Sequence, residues 1–343
     1  MLSKYISVTG VGKASVLTEE VDVSNLSENE AVIEAECSMI SAGTELSRVF
    51  AIKKGFSYPV RPGYSSVGKV IATGGGLKGI QPGDRVYYSG PHASVCRITN
   101  GNITQGPSVF KLNRDIPPKE ASLFNLGLIA VSNVAATEVK PGDTAVVFGL
   151  GAIGLLVACL FVDTGARVIA VDPVASRCET ASRLGIRDCI SVPPDEQVAK
   201  ILEMTGGAGA DTCADVTGDS RAIASAVFSA ARYGQVVLMG TPRADMDMNV
   251  TPVFNRIHMN MLTVRGAFNN LFPLRETEGC RITVERNLRY FESLIADGRI
   301  DAGKIISHVI KPEDIQDAYH GLMYDRENYR CVVIDWEPRI KVR

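Results

Sequence analysis

Two kinds of hydrophobic spacing divide the chain. Up to about residue 125 the apolar residues come in short β-type runs, "EAVIEAEC", "SVGKVIATG", "DRVYYSG" and "ASVCRI", separated by corners rich in Gly and Pro. Such runs predict a β-rich module built from hairpins. From about 126 to 267 the pattern changes, and the helical segments "VASRCETASRLG", "DEQVAKILEMTG" and "DSRAIASAVFSAAR" alternate with the strand-like "ARVIAVD", "ADTCADV" and "GQVVLMG". That alternation predicts a doubly wound parallel sheet with crossover helices on its faces, an α/β architecture. Residues 268–343 contain an amphipathic helix within "CRITVERNLRYFESLIADGRI" and end near the strand-like "RCVVIDW". They are expected to pack on the β-rich module.

The most apolar stretch lies in "TAVVFGLGAIGLLVACLFVDTGARVIAVDP". From Ala145 to Val162 it carries no charge, and its length approaches the roughly 20 residues that cross a bilayer. Glycines 149, 151 and 154 nevertheless split it into a β-branched piece and a helix-forming piece, and a second strand pattern follows. A strand covered on both faces is expected to be continuously apolar. The segment therefore reads as strand, turn and first crossover helix, with no membrane span.

In that context "GLGAIG" is a dinucleotide-binding signature. Gly149 permits the tight turn, Gly151 lets the backbone approach a pyrophosphate, and Gly154 lets helix and strand pack closely. The amides at the helix start, at Ala152 and Ile153, are placed to meet the anion. Asp172 ends the next strand, where a carboxylate accepts hydrogen bonds from ribose hydroxyls and repels a 2′-phosphate, so NAD is expected rather than NADP. Arg177 either lies against the adenine or a phosphate, or is part of a solvated helix face. Thr217 in "DVTG" and Gly240 in "MGTP" end two further strands, at the edge where ligands lie in such sheets.

Composition narrows the class. With 343 residues, 45% of them hydrophobic, the chain is long enough for two domains, and its net charge of -2 with no basic run gives no footprint for nucleic acid. The eight cysteines include no C-x-x-C pair, so reduced thiols are expected in place of a disulfide framework or zinc knuckle. "MLSKYISVTGVGKASVL" lacks a continuous apolar segment, so the expected location is the cytoplasm.

With "SAGTE", "PVRPGYSSVGKV", "QPGDRV", "GLGAIG" and "TVRGAF" in this order, the whole chain resembles the medium-chain dehydrogenase/reductase superfamily. It looks closest to the polyol and alcohol dehydrogenase branch, and is also similar to the group containing the bacteriochlorophyllide dehydrogenases. The resemblance implies a GroES-like catalytic domain made of residues 1–125 and 268–343, with a Rossmann NAD-binding domain at 126–267 between them. It also implies that Ala267 and Phe268 meet the nicotinamide, and that the protein is a homodimer or homotetramer joined at the edges of the nucleotide domains.

The pattern fails at the metal. Zinc-dependent members carry a catalytic Cys where this chain has Ser41 or Ala42, and their "PGHE" is here "PGYS", with Tyr64 and Ser65. Their third ligand falls near Asn125, and the cluster of four cysteines that holds structural zinc is missing. Hydroxyl, phenol and amide are not zinc ligands, so a zinc-free enzyme is expected. The alkoxide formed during hydride transfer then needs protein hydrogen bonds or a protein proton. Tyr64 is the leading candidate, unless it only packs the cleft wall. His92 either exchanges protons or stabilises a turn. Glu45 is expected to orient Ser41 or the ribose rather than to act directly, while Ser65 and Asn125 are expected to line the pocket.

Three functions compete on this reading. One is an NAD-dependent dehydrogenase of a secondary alcohol in a polyol, sugar or related small molecule. The others are a zinc-free quinone or enoyl reductase, disfavoured by Asp172, and a catalytically silent NAD-binding module.

Overall fold

The computed structural model describes residues 1–52, 55–100, 109–242, 245–274, 279–280 and 282–337. The chain forms two compact units, one of Met1–Asn125, Pro273–Gly298 and Ile305–Arg343, the other of Leu126–Phe272 with Arg299–Lys304.

The first unit is built on a mixed sheet. Its long central strand, Glu30–Ile40, is buried along nearly its whole length and pairs antiparallel with Ser66–Thr73 on one side and, in different stretches, with Val95–Thr99 and Val332–Asp335 on the other. The order runs His308–Ile310, Val332–Asp335, Glu30–Ile40, Ser66–Thr73, Arg85–Tyr88, Val109–Lys111. The C-terminal strand Val332–Asp335 thus pairs with the β-rich module. A hairpin of Leu2–Gly10 and Lys13–Glu20 lies beside it. One core joins Ile6, Leu46, Val49, Tyr319, Val332 and Trp336, which draws both ends of the chain and the helices Ala42–Val49 and Ile315–Tyr324 together. The amphipathic helix of the C-terminal part spans Val284–Ala296 and opens on Thr283, whose side chain accepts from Arg286 N.

The second unit is a parallel sheet of six strands in the order Asp188–Ile190, Arg167–Val171, Thr144–Phe148, Ala210–Asp215, Ala230–Leu238, Thr263–Gly266. In chain order this is 3-2-1-4-5-6, the doubly wound arrangement whose switch point lies beside the first strand. The uncharged stretch resolves into that first strand and the helix Ala152–Asp163, which is buried from Gly154 to Phe161. Twelve residues of helix reach about 18 Å. No helix among the described residues is long and apolar enough to cross a membrane.

Arg299–Lys304 belongs to the nucleotide unit although the sequence reading placed it in the other domain. The reason is a fork: Arg299 Nε and Nη2 meet Asp163 Oδ1 and Oδ2 at 2.9 and 2.7 Å at the end of the first crossover helix.

Candidate active site

The strand Glu30–Ile40 delivers Ser41 to the N-cap of helix Ala42–Val49. Ser41 does not cap with its own hydroxyl. Glu45, one turn into the helix, reaches back and accepts the Ser41 N–H at 2.8 Å, so the carboxylate does the capping and the Ser41 hydroxyl is available elsewhere. That hydroxyl accepts a short hydrogen bond from Tyr64 Oη, and Thr44 Oγ1 stands 3.3 Å from the same phenol. Tyr64 is placed by the turn before it. Gly63 has φ +106°, and a Cβ there would lie 2.5 Å from His92 N, so only glycine lets the "PGY" loop pass this close.

Burial pushes the Tyr64 phenol up from its ordinary pKa, and the Glu45 carboxylate adds to this, while the hydrogen bonds to Ser41 and Thr44 and the Arg48 guanidinium oppose it. The phenol therefore stays protonated at neutral pH. It is equipped to donate a hydrogen bond or a proton.

Behind this surface lies a buried polar chain. Trp336 Nε1 can only donate, and it gives its proton to Ser38 Oγ at 2.9 Å. Ser38 Oγ also stands 2.9 Å from His92 Nδ1, and His92 Nε2 faces Glu45 Oε2 at 3.0 Å, where a carboxylate can only accept, so Nε2 is the donor. Tyr319 Oη donates to the same carboxylate oxygen at 2.7 Å. His92 is 0% exposed and both its ring nitrogens are engaged. Complete enclosure and two engaged ring nitrogens suit the structural one of the two roles read for it. Glu45, at 2% exposure, is likewise a scaffold for Ser41.

Ser65 is also withdrawn from the pocket expected for it. It is fully buried, and its hydroxyl donates to the Ser122 carbonyl at 2.6 Å. Asn125 accepts from Tyr87 Oη at 3.1 Å through Oδ1. Burial drives the Tyr87 phenol well up, and the nearby Tyr64 adds to this. The residues read at the zinc-ligand positions are neutral oxygen donors: Ser41 is bonded to Tyr64, and Asn125 to Tyr87. This donor set does not fit zinc, which takes thiolate, imidazole or carboxylate. Among the described residues no group of three or more His, Cys, Asp or Glu is arranged to hold a metal ion. Thr44, Tyr87 and the Ser38–Tyr319–Trp336 set are the residues that sequence reasoning missed. Only Thr44 had a signal, its place within "SAGTE".

In the second unit the glycine-rich turn fits a dinucleotide. Gly149 has φ +93° and a Cβ there would meet Thr217 Cγ2 at 2.6 Å, while a Cβ on Gly154 would lie 1.8 Å from the Gly149 carbonyl. Nothing lies within 4 Å of a Cβ built on Gly151, which leaves open space beside the N-terminus of helix Ala152–Asp163. The residues that would hold a pyrophosphate there are Gly151, Ala152 and Ile153. Asp172, 3% exposed, is fixed by the Leu150 N–H on Oδ2 at 2.8 Å, the Val174 N–H on Oδ1 at 2.9 Å and Arg177 Nη1 on Oδ2 at 3.2 Å. Arg177 is therefore more than part of a solvated helix face: its Nη1 braces the carboxylate. Asp215 ties the neighbouring turn by accepting the Thr217 hydroxyl at 2.6 Å and the Gly218 N–H at 3.0 Å. Gly240 must be glycine, because its Cβ would meet Gly218 N at 2.2 Å. The Ala267 amide is spent on the Leu238 carbonyl at 2.9 Å, and Phe268 is 53% exposed.

Residues 152–278 match the zinc-binding dehydrogenase family model. The chain is 27% identical to a zinc-type alcohol dehydrogenase-like protein of Haemophilus influenzae over 92% of this chain and 94% of that one. It is 26% identical to (R,R)-butanediol dehydrogenase of Bacillus subtilis over 80% of this chain and 81% of that one. The structure of galactitol-1-phosphate dehydrogenase from Escherichia coli superposes with a TM-score of 0.82 at 18% identity, over 97% of this chain and 100% of that one. The chain belongs to the zinc-type alcohol dehydrogenase-like family of medium-chain dehydrogenases, and is an oxidoreductase of that family.

Proposed function

We propose that the protein is a zinc-independent, NAD-dependent dehydrogenase that moves a hydride between the nicotinamide and a secondary alcohol or ketone of a polyol, sugar or related polar small molecule. The observation that carries this reading is the hydroxyl cluster of Ser41, Thr44 and Tyr64 where relatives place metal ligands. NAD, when bound, supplies the hydride acceptor. The chain's own task is the proton. Tyr64 donates to the carbonyl oxygen in reduction and takes the proton back in oxidation, with Ser41 and Thr44 steadying its phenol and Glu45 fixing Ser41. Use of NAD rather than NADP is supported by Asp172, whose Oδ1 retains a lone pair for a ribose hydroxyl beside the Val174 contact. A homodimer or homotetramer is proposed as well: strand Thr263–Gly266 ends the sheet, with Val264, Met259 and Met261 exposed around it.

The test is a panel of neutral and charged polyols and sugars with NAD and NADP, alongside metal analysis and the variant Tyr64→Phe. Turnover with NAD on protein lacking stoichiometric zinc, reduced at least about 100-fold in Tyr64→Phe, is the expected result. Full activity in Tyr64→Phe, or activity that tracks bound zinc, refutes the reading.

A further inference from the structure

Helix Ala42–Val49 and its cap present one polar stripe: Ser41, Thr44 and Arg48, at spacings that share a helix face. The first two meet the Tyr64 phenol. Arg48 stands one turn further on, and its side chain is exposed while Glu45, Leu46 and Val49 face the core. Its carbonyl accepts from Tyr58 Oη at 2.7 Å, which holds this end of the helix in place. Elsewhere in the same unit, arginines are held by carboxylates: Arg61 by Glu19 at 2.6 Å, Arg85 by Glu36 at 2.8 Å and Arg97 by Glu30. Among the described residues no carboxylate lies in ion-pair range of the Arg48 guanidinium. It is nevertheless near enough to Tyr64 for its charge to favour the phenolate. A cation without a counter-ion, one helical turn from the reacting oxygens, is a built-in place for a substrate's negative charge.

We propose that Arg48 determines substrate class, selecting alcohols that carry a carboxylate or a phosphate a few bonds from the reacting carbon. This rests on the Ser41–Thr44–Tyr64 cluster being the reacting site. Residues four apart on a helix are neighbours on one face, so Arg48 lies on the same side of the helix as Thr44, whose hydroxyl meets Tyr64, and its long side chain can meet a second group of a substrate held there. The guanidinium fork fits either oxyanion with two parallel hydrogen bonds.

The experiment compares a hexitol, its 1-phosphate and the corresponding hexonate as substrates of the NAD-saturated protein, in the wild type, Arg48→Gln, Arg48→Lys and Tyr64→Phe. In the wild type one of the two anions is expected to exceed the neutral hexitol in kcat/KM, and the better one identifies the group recognised. Arg48→Gln lowers the ratio of anionic to neutral kcat/KM about 10- to 100-fold, chiefly through KM, and Arg48→Lys restores part of it. A wild-type enzyme that prefers the neutral hexitol, or a ratio unchanged in Arg48→Gln, overturns the proposal. Should none of the three turn over, calorimetric titration of gluconate and inorganic phosphate into the same NAD-saturated proteins decides it: binding that Arg48→Gln weakens supports it, and equal or undetectable binding overturns it. Tyr64→Phe separates the two layers. Full turnover in that variant removes the reacting-site reading itself, whereas lost turnover with a charge-blind Arg48→Gln removes only the anion site.

Discussion

Glu45 is the single carboxylate on which the buried side of the site hangs, so replacing it with alanine is the sharpest perturbation available. The carboxylate, 2% exposed, accepts from the Ser41 amide at 2.8 Å, His92 Nε2 at 3.0 Å and Tyr319 Oη at 2.7 Å. Glu45→Ala strands three buried donors, each costing about 1–3 kcal/mol, with partial relief as neighbours relax. A loss of about 3–6 kcal/mol is expected, a large part of the 5–15 kcal/mol that typically holds a domain together. The chain reports this locally, because its one tryptophan, Trp336, is buried in the same network and in the same unit. Urea unfolding followed by tryptophan fluorescence is expected to move its midpoint down by about 1.5–3 M, taking a slope near 2 kcal/mol per molar. Glu45→Gln keeps the volume but turns an amide NH2 toward one of the donors, so its midpoint is expected between those of the wild type and Glu45→Ala. A midpoint for Glu45→Ala within about 0.5 M of wild type, at unchanged slope, refutes the view that this carboxylate organises the site.

Two further outcomes follow from other parts of the molecule. Gly154→Ala forces a methyl to within 1.8 Å of the Gly149 carbonyl, so the helix must move off the turn; NADH affinity by fluorescence titration is expected to fall at least about tenfold, with a stability loss of about 1–3 kcal/mol, and an unchanged affinity contradicts the packing described. The second concerns alkali: burial raises the Cys37, Cys96 and Cys331 thiols to about 12 from an ordinary 9.0. Because the folded values are raised, the stability these thiols contribute is whole below about pH 9 and is lost as pH climbs from 9 toward 12, where only the unfolded chain ionises freely. Each thiol is worth about 1.4 kcal/mol per pH unit across that window. Melting temperatures by tryptophan fluorescence are expected to be flat from pH 7 to 8.5 and to drop steeply by pH 10.5, and a flat profile to pH 11 contradicts this.

The nucleotide unit was legible because its signals are local. "TAVVF", "GLGAIG" and "ARVIAVD" specify strand, turn, helix and strand within thirty residues, and their parallel pairing matches the alternation. Tyr64 and Ser41 were legible as departures from a known ligand pattern, a signal that also points to the region. The layer behind them was hidden for a physical reason. Ser38 and Trp336 lie 298 positions apart, and Tyr319 reaches Glu45 across 274, so nothing in the neighbourhood of any one residue announces the chain of hydrogen bonds. At His92 and Ser65 residue type left a chemical role open and could not show that both side chains are fully enclosed with their polar atoms hydrogen-bonded. Arg177 shows a third case. Its spacing from Asp172 was visible, but that it would brace the carboxylate depended on a side-chain rotamer.

The Arg299–Asp163 fork makes the segment 299–304 a piece of the nucleotide-binding body that is stored elsewhere in the gene. The chain therefore crosses between its two bodies at four places, and no single cut-and-paste of contiguous sequence can transplant the dinucleotide module whole. A chimera carrying only residues 126–272 would leave Asp163, whose side chain is 14% exposed here, without its arginine at a helix C-terminus. Recombination that respects the fold must carry both pieces, which ties the evolutionary fate of this module to that of its host domain.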